Sequence, residues 1–375
     1  MEFSETKSGR KMVGLMLLGG LHHILHLIPV ARDLEMHDYV DVIIYVRNEK
    51  EVQLCADILK ALGAMRTHIK IFKPHPLISW IYPKRSLVLS NIKIWRTLDI
   101  LIVAERTSTV LRRLFRRLPI LVHIPHGAGD RAKSYDERIA RFDYVLAAGS
   151  KDKRRMIEQD LVTDETCFVT GYIKPFAVNL IQPEPPKLFE NDNPVVLYNP
   201  HFETGLSSWR DFGENLLQAF AQYKEMNFIF APHMRLFSGK NSPPKERVEK
   251  FKSNDNILID LGSERSADMT YTRVADIYLG DVSSQVYEFL SVPKPCVFIG
   301  REDTNWDGNP DYAHWSYGPV CHSVAEVMTA LSSADVDLPI YKDAQERGCR
   351  AAKGEPNWDP IKRASDVIID ILKTA

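Results

Sequence analysis

Cysteine is scarce in this 375-residue chain, and the five present, at positions 55, 167, 296, 321 and 349, are odd in number and never spaced CxxC. This argues against a disulfide framework and a zinc site, and for reduced thiols in a cytoplasm. Long apolar runs are missing too. None approaches the roughly 20 residues a membrane span requires. The nearest, residues 13–30, is broken by Gly19, Gly20, His22, His23, His26 and Pro29, and it lacks the layout of a secretory signal. GxGxxG, Walker A, GxSxG and HExxH are all absent. No carboxylate pair for glycoside hydrolysis can be picked out. Net charge is nearly nil, at −1. With no RNA- or DNA-binding signature, that weighs against a nucleic-acid partner.

What is present describes a globular protein, 45% hydrophobic and 26% charged. Its length exceeds one typical core and predicts two domains. The near-zero charge conceals a division. Residues 1–180 hold 28 Lys+Arg and 20 Asp+Glu, so +8, and residues 181–375 hold 20 and 29, so −9. The change of sign coincides with Gln182-Pro183-Glu184-Pro185-Pro186, a proline-rich linker. Part of the basic surplus lies in residues 111–118, where Arg112-Arg113 and Arg116-Arg117 alternate with apolar residues. This pattern suits a solvated amphipathic helix between strands, or else a helix touching anionic lipid or a polyanionic acceptor.

Strands and helices alternate in both halves. Apolar, β-branched runs at 11–18, 40–46, 69–72, 100–104, 120–124, 142–147 and 167–170 read as strands, with helices over 21–35 and 49–62. In the second half the strands fall at 195–198, 227–231, 257–259, 276–279 and 295–299. Helices fall at 209–224, 244–252, 284–290 and 324–331. Such alternation predicts α/β architecture: two doubly wound parallel-sheet, Rossmann-like domains facing across a cleft. Ligands of these sheets lie beyond the carboxyl ends of the strands. The residues there are therefore the informative ones.

Those positions carry Gly19 and Gly20, then the loop Pro125-His126-Gly127-Ala128-Gly129-Asp130-Arg131, then Gly149-Ser150-Lys151 and Gly171-Tyr172. In the second half they carry Asn199-Pro200-His201, Pro232-His233-Met234-Arg235, and Gly280-Asp281-Val282-Ser283-Ser284 ahead of Glu288. Glycines let backbone approach a ligand, while His, Lys and Arg supply charge and proton transfer. The set suits a phosphate-rich ligand. Ser283-Ser284 would offer hydroxyls, free N–H groups and the positive end of a helix, or would form an ordinary N-cap. His126, held between Pro125 and Gly127, is suited to take a proton from an acceptor hydroxyl, or else hydrogen-bonds its own loop. Asp130 would orient that imidazole or cap the next helix. His22, His23 and His26 have helical spacing but no evident acidic or Cys partner, so no metal is expected, and they are expected at the cleft entrance or on the helix surface.

Taken together, these blocks resemble the CDP-glycerol glycerophosphotransferase family, which builds teichoic-acid-type polymers. The resemblance rests on His126-Gly127, on Gly149-Ser150 followed by Gly171-Tyr172-Ile173-Lys174-Pro175, on Leu197-Tyr198-Asn199-Pro200 and on Pro232-His233. It rests also on Asp281-Val282-Ser283-Ser284 with Glu288-Phe289 and Lys294-Pro295. It covers residues 120–372. Gly280 and Val282 depart from the family's Thr and Tyr, and His201 stands where a Trp-Arg pair follows. The resemblance implies a GT-B-like fold with an acceptor-side domain over 1–180, a nucleotide-donor domain over 181–353, and a closing helix over 354–375 that packs back on the first. It implies transfer of a polyol phosphate from a CDP-activated donor to a lipid-linked or polymeric acceptor, with no cofactor, at the inner face of the cytoplasmic membrane. His126 would be the general base. His233, Arg235, Asp281, Ser283, Ser284, Glu288 and Gly171 would hold the donor. Gly19, Gly20, Gly127, Asp130 and Arg131 would line the acceptor side. A sugar transferase or a UDP-sugar 2-epimerase would share these features.

Overall fold

The computed structural model describes residues 9–74, 83–115, 118–131, 135–238 and 242–374. The chain divides into two compact units. The first takes residues 1–128, 135–183 and 352–375, and the second takes 129–134 and 184–351. The main division falls inside the proline-rich segment.

The sheet of the first unit contains β1 (Lys11–Met16), β2 (Val40–Val46), β3 (His68–Ile71), β4 (Ile100–Val103), β5 (Ile120–His123), β6 (Tyr144–Ala147) and β7 (Cys167–Val169). Their order is β3-β2-β1-β4-β5-β6-β7, and every pairing is parallel. Near-continuous apolar runs such as Val40–Val46 are what a strand covered on both faces needs. Helix Glu49–Ala61 follows β2, and Asn48 caps it by accepting from Glu51 N–H at 3.0 Å. One face of the sheet packs on Trp95, Phe72, Leu98 and Leu111.

The C-terminal helix Pro360–Thr374 belongs to this unit and packs on helices Leu21–Leu34 and Ile173–Ile181. It buries Ile361, Ala364, Ile368, Ile369, Ile371 and Leu372. Asp359 pairs with Arg32 at 3.3 Å, and Tyr172 N–H donates to Lys353 O at 3.0 Å. This packing accounts for Gly171. Its φ is +99°, and a Cβ there would lie 2.9 Å from Pro360 Cβ. We therefore expect Gly171→Ala to cost more than about 1 kcal/mol. Urea unfolding checks this, and an unchanged midpoint would refute it.

The second unit holds β8 (Val195–Asn199), β9 (Asn227–Phe230), β10 (Ile257–Ile259), β11 (Ile277–Gly280), β12 (Cys296–Ile299) and β13 (Val320–Cys321), ordered β10-β9-β8-β11-β12-β13 and all parallel. Aromatic stacking dominates one face: Phe220 lies on Phe228 at 4.0 Å and Trp209 on Phe230 at 4.8 Å. β8 and β11 are neighbours although three strands apart in sequence, which makes their carboxyl ends the switch point of the sheet.

Several sequence expectations need correction. The helix expected over 209–224 opens with π-helical Trp209–Gly213 before α-helical Glu214–Gln222, and the Trp209 ring lies where a Cβ on Gly213 would sit. The two-residue strand β13 and the 20-residue helix Ala334–Lys353 were not anticipated. Pro339 and Gly348 interrupt the helical pattern. At Gly348 a Cβ would fall 1.7 Å from the Tyr317 hydroxyl, so close packing dictates the glycine. The basic run 111–118 yields only the short helix Val110–Leu114, with Arg112 paired to Asp143, while Arg116 and Arg117 lie outside the described residues. Among the described residues no helix is long and apolar enough to cross a membrane.

Candidate functional site

In the second unit, the chemistry gathers at the β8/β11 switch point around Asp281. The sequence suggested this residue as a ligand of the donor. Instead it is 1% exposed and turned inward. Its carboxylate accepts from His201 N–H (2.9 Å), Ser208 N–H (2.7 Å), Ser208 Oγ (2.9 Å) and Val282 N–H (2.7 Å). Burial pushes its pKa up to about 6, against the pull of those donors, first among them Ser208. The carbonyl of Asp281 is also engaged, receiving Trp315 Nε1 at 2.9 Å and His314 Nε2 at 3.1 Å. Asp281 thus ties the 200–208 loop and the 314–315 segment to one strand end.

Ser283 and Ser284 follow, but the helix after them, Gln285–Phe289, is only five residues long and carries little dipole. Ser283, not Ser284, supplies its cap bond. Ser284 occupies the N-cap position in helical conformation without a side-chain cap bond, and it is exposed. The Ser283 hydroxyl donates to Asn199 Oδ1 at 2.8 Å and accepts from Gln285 N–H at 3.3 Å. Glu288, expected on the same face as Ser284, is 7% exposed.

Beside this turn lies a cationic cluster within the same unit. Arg131 approaches His201 Nε2 at 2.9 Å and pairs with Glu203 at 2.8 Å. The other ring nitrogen of His201 faces Glu203 N–H at 3.0 Å. Both neighbours are donors, so His201 is neutral and only one contact is a hydrogen bond, since neutral imidazole has one lone pair. The ring of Phe202 lies 4.5 Å from that of His201 and 4.5 Å from that of His233, with the Arg235 guanidinium 5.2 Å above Phe202. His233 Nδ1 accepts from Arg235 N–H at 3.2 Å, which leaves its proton on Nε2. Burial first, then Arg235 and Arg131, lower its pKa to about 4. At neutral pH His233 is therefore a neutral N–H donor among guanidinium groups. Arg235 is exposed and has no carboxylate partner among the described residues. A cluster of this composition attracts anions.

Asp130 belongs to a buried network of the second unit. It is 4% exposed, groups with the second unit, accepts from Tyr287 Oη at 2.8 Å and meets His314 Nδ1 at 2.7 Å. Both nitrogens of His314 face acceptors, Nδ1 the buried Asp130 carboxylate and Nε2 the Asp281 carbonyl. Gly129 shares this region: a Cβ there would lie 3.0 Å from Ser284 Cβ. Sequence reading noted His201 at a strand end without giving it a role, and missed Ser208, His314 and Trp315. The last two lie in an irregular segment after β12, and no spacing announces their contact with Asp281.

The first unit holds the remaining expected residues at the ends of β1, β4 and β5. His126 is exposed, and its Nδ1 lies 3.0 Å from Ala104 O. A carbonyl only accepts, so Nδ1 carries the proton and Nε2 the lone pair. That carbonyl belongs to the neighbouring strand end. Burial of part of the ring lowers the His126 pKa, countered by the Ala104 bond and by Glu105. Its open face limits that shift. Gly127 beside it has φ +102°. Beneath, His123 is buried against Phe142 at 4.6 Å, with its pKa lowered to about 3, so it stays neutral.

His23 and His26, expected at the cleft entrance or on the helix surface, are 1% and 4% exposed, which rules out the helix surface. The His23 ring lies 4.2 Å from that of His126 and 3.9 Å from Glu105, while His26 stacks on Tyr172. The helical spacing was legible, but not the side of the helix that faces inward. The side chain of His22 lies outside the described residues. Gly19 makes room for the His23 ring, since its Cβ would fall 2.1 Å away, and Gly20 has φ +77°. Among the described residues no three His, Cys, Asp or Glu side chains form a metal-binding group.

The sequence matches no protein-family model and no curated protein. Solved structures do resemble it. A UDP-GlcNAc 2-epimerase from Neisseria meningitidis, bound to UDP-GlcNAc, aligns with TM-score 0.63 and 15% identity over 98% of this chain and 100% of its own. MnaA from S. aureus, with UDP, gives 0.63 and 16% over 97% and 96%. The wall teichoic acid polymerase TagF, soaked with CDPG, gives 0.64 and 13% over 97% and 89%. The likeness defines the fold: α/β of the GT-B type, with two Rossmann-like domains. The reaction must be argued from this chain's own residues.

Proposed function

We propose that the protein is an enzyme that uses a nucleotide-activated donor, and that it transfers a glycerol-phosphate or similar polyol-phosphate unit from a CDP-linked donor to a hydroxyl of a lipid-linked or polymeric acceptor. The observation that carries this reading is the cluster of Arg131, His233 and Arg235 beside the Ser283-Ser284 turn. It combines two guanidinium groups with a neutral N–H donor, a composition suited to a diphosphate. His126, with its lone pair directed to Nε2, is the general base.

In the reaction, the acceptor oxygen attacks the phosphorus bearing the polyol, the bond from that phosphorus to the CMP oxygen breaks, and the acceptor proton passes to His126 Nε2. Arg131, Arg235 and His233 offset the charge that develops on the leaving CMP. Such transfer gains chiefly from positioning and charge neutralisation, so the reading calls for no metal or other cofactor. The +8 charge of residues 1–180 suits an anionic acceptor or lipid surface at the inner face of the cytoplasmic membrane.

A second reading, a UDP-sugar 2-epimerase or sugar transferase, draws support from the Neisseria epimerase, whose whole length aligns. Thermal shift with CDP-glycerol, CDP-ribitol, CMP and UDP-GlcNAc separates the two, because a ligand of the folded state raises its melting temperature. The polyol-phosphate reading expects stabilisation by the cytidine ligands. Stabilisation by UDP-GlcNAc alone would replace it with the second reading.

A further inference from the structure

Arg131, one of the two guanidinium groups of the anion cluster, lies in no strand or helix. It arrives on residues 129–134, which group with the second unit although the chain on either side of them belongs to the first. A segment of this kind stays where its own side chains fasten it. The fastening here is Asp130, the buried neighbour of Arg131. Its carboxylate accepts from Tyr287 Oη at 2.8 Å and from the His314 backbone N–H at 3.3 Å, and it meets His314 Nδ1 at 2.7 Å. Tyr287 lies on the helix Gln285–Phe289, directly after the Ser283-Ser284 turn.

These contacts close into a ring. It runs from Asp130 to His314 Nδ1, and from His314 Nε2 to the Asp281 carbonyl at 3.1 Å. It continues from the Asp281 carboxylate to His201 N–H at 2.9 Å, and from His201 Nε2 to the Arg131 guanidinium at 2.9 Å. The peptide bond between Asp130 and Arg131 completes it. Arg131 is thus held at both ends, its backbone through Asp130 and its guanidinium between His201 and Glu203. Stability alone does not account for a carboxylate at this position, because well-packed apolar residues often replace a buried charged network without loss. Apolar packing does not supply the directed hydrogen bonds that fix where the next residue points.

We propose that Asp130 is a positioning residue: it fixes Arg131 in register with the Ser283-Ser284 turn, so that the guanidinium is in place before the phosphates arrive. The proposal rests on the diphosphate reading for what Arg131 binds, but not for how Arg131 is held. The full chain is titrated calorimetrically with CDP and with UDP as wild type, Asp130→Asn, Arg131→Gln and the double variant. Asp130→Asn is expected to weaken whichever diphosphate binds by about tenfold, and to weaken it no further when Arg131→Gln is already present, since both act through one guanidinium. Equal loss in both backgrounds would make Asp130 a support of the fold alone, and no loss would remove it from the site; either result overturns the proposal. Nitrogen NMR of the Arg131 guanidinium, assigned by its absence in Arg131→Gln, reads the same point without a ligand. Rotation of the group should be restrained in the wild type and released in Asp130→Asn, and an unchanged signal would overturn the proposal. If neither CDP nor UDP binds the wild type, the diphosphate reading fails and the NMR result alone decides the positioning. Tyr287→Phe removes one donor to the carboxylate while keeping the buried ring. It should move both readouts in the same direction, and it carries the test if Asp130→Asn does not fold.

Discussion

His126→Ala is expected to lower turnover by roughly 100- to 10,000-fold, the usual contribution of a positioned general base, with little change in donor affinity. The Ala104 carbonyl fixes the Nδ1 proton and so presents the Nε2 lone pair. Because burial holds the His126 pKa below its ordinary 6.5, the base is already neutral at physiological pH. The acid limb of kcat/KM should therefore lie below pH 6.5, and it should vanish in the residual activity of the variant. Steady-state kinetics from pH 5 to pH 8 measure both. Wild-type turnover in His126→Ala would remove the residue from the mechanism.

Asp281→Ala is expected to cost about 3–5 kcal/mol of stability, the scale for removing one partner of a buried charged network. Four donors, from His201, Ser208 and Val282, would lose their acceptor together. The loss should carry a pH signature. The folded pKa of Asp281 is raised, to about 6 from 3.8. Between those values the native state binds the proton more readily than the unfolded chain, so stability falls as pH rises through that window. The full effect is about 3 kcal/mol. The margin of the wild type over the variant should accordingly be wider at pH 4 than at pH 7. Urea unfolding at the two values checks this, and a margin that widened with pH would contradict it. The same variant should weaken nucleotide binding, since Asp281 orders the loops on either side of the anion cluster.

These two residues show how far the sequence could be read. Strand positions were legible because strands buried on both faces are nearly continuous apolar runs, as in Val40–Val46 and Ile100–Val103. Counting to strand ends then led to His126, His233 and Asp281. Which way each side chain points was not legible. Asp281 faces inward because four donors converge on it from loops up to 80 residues away. Gly171 looked like a phosphate-approach glycine, yet the C-terminal helix packing against it explains it fully. Asp130 read as an orienter for His126 or a helix cap, and nothing in the sequence announced its contact with His314, 184 residues further along. Contacts of such separation leave no periodicity in the sequence.

The central claim, transfer of a polyol phosphate from a cytidine nucleotide, is tested most directly by identifying the nucleotide product. The protein is incubated with CDP-glycerol and a hydroxyl-bearing glycerol-phosphate acceptor, and in parallel with UDP-GlcNAc, and the products are separated by anion-exchange chromatography. Acceptor-dependent release of CMP, lost in His126→Ala, is the predicted result. Acceptor-independent conversion of UDP-GlcNAc to its 2-epimer, with CDP-glycerol left intact, would contradict it.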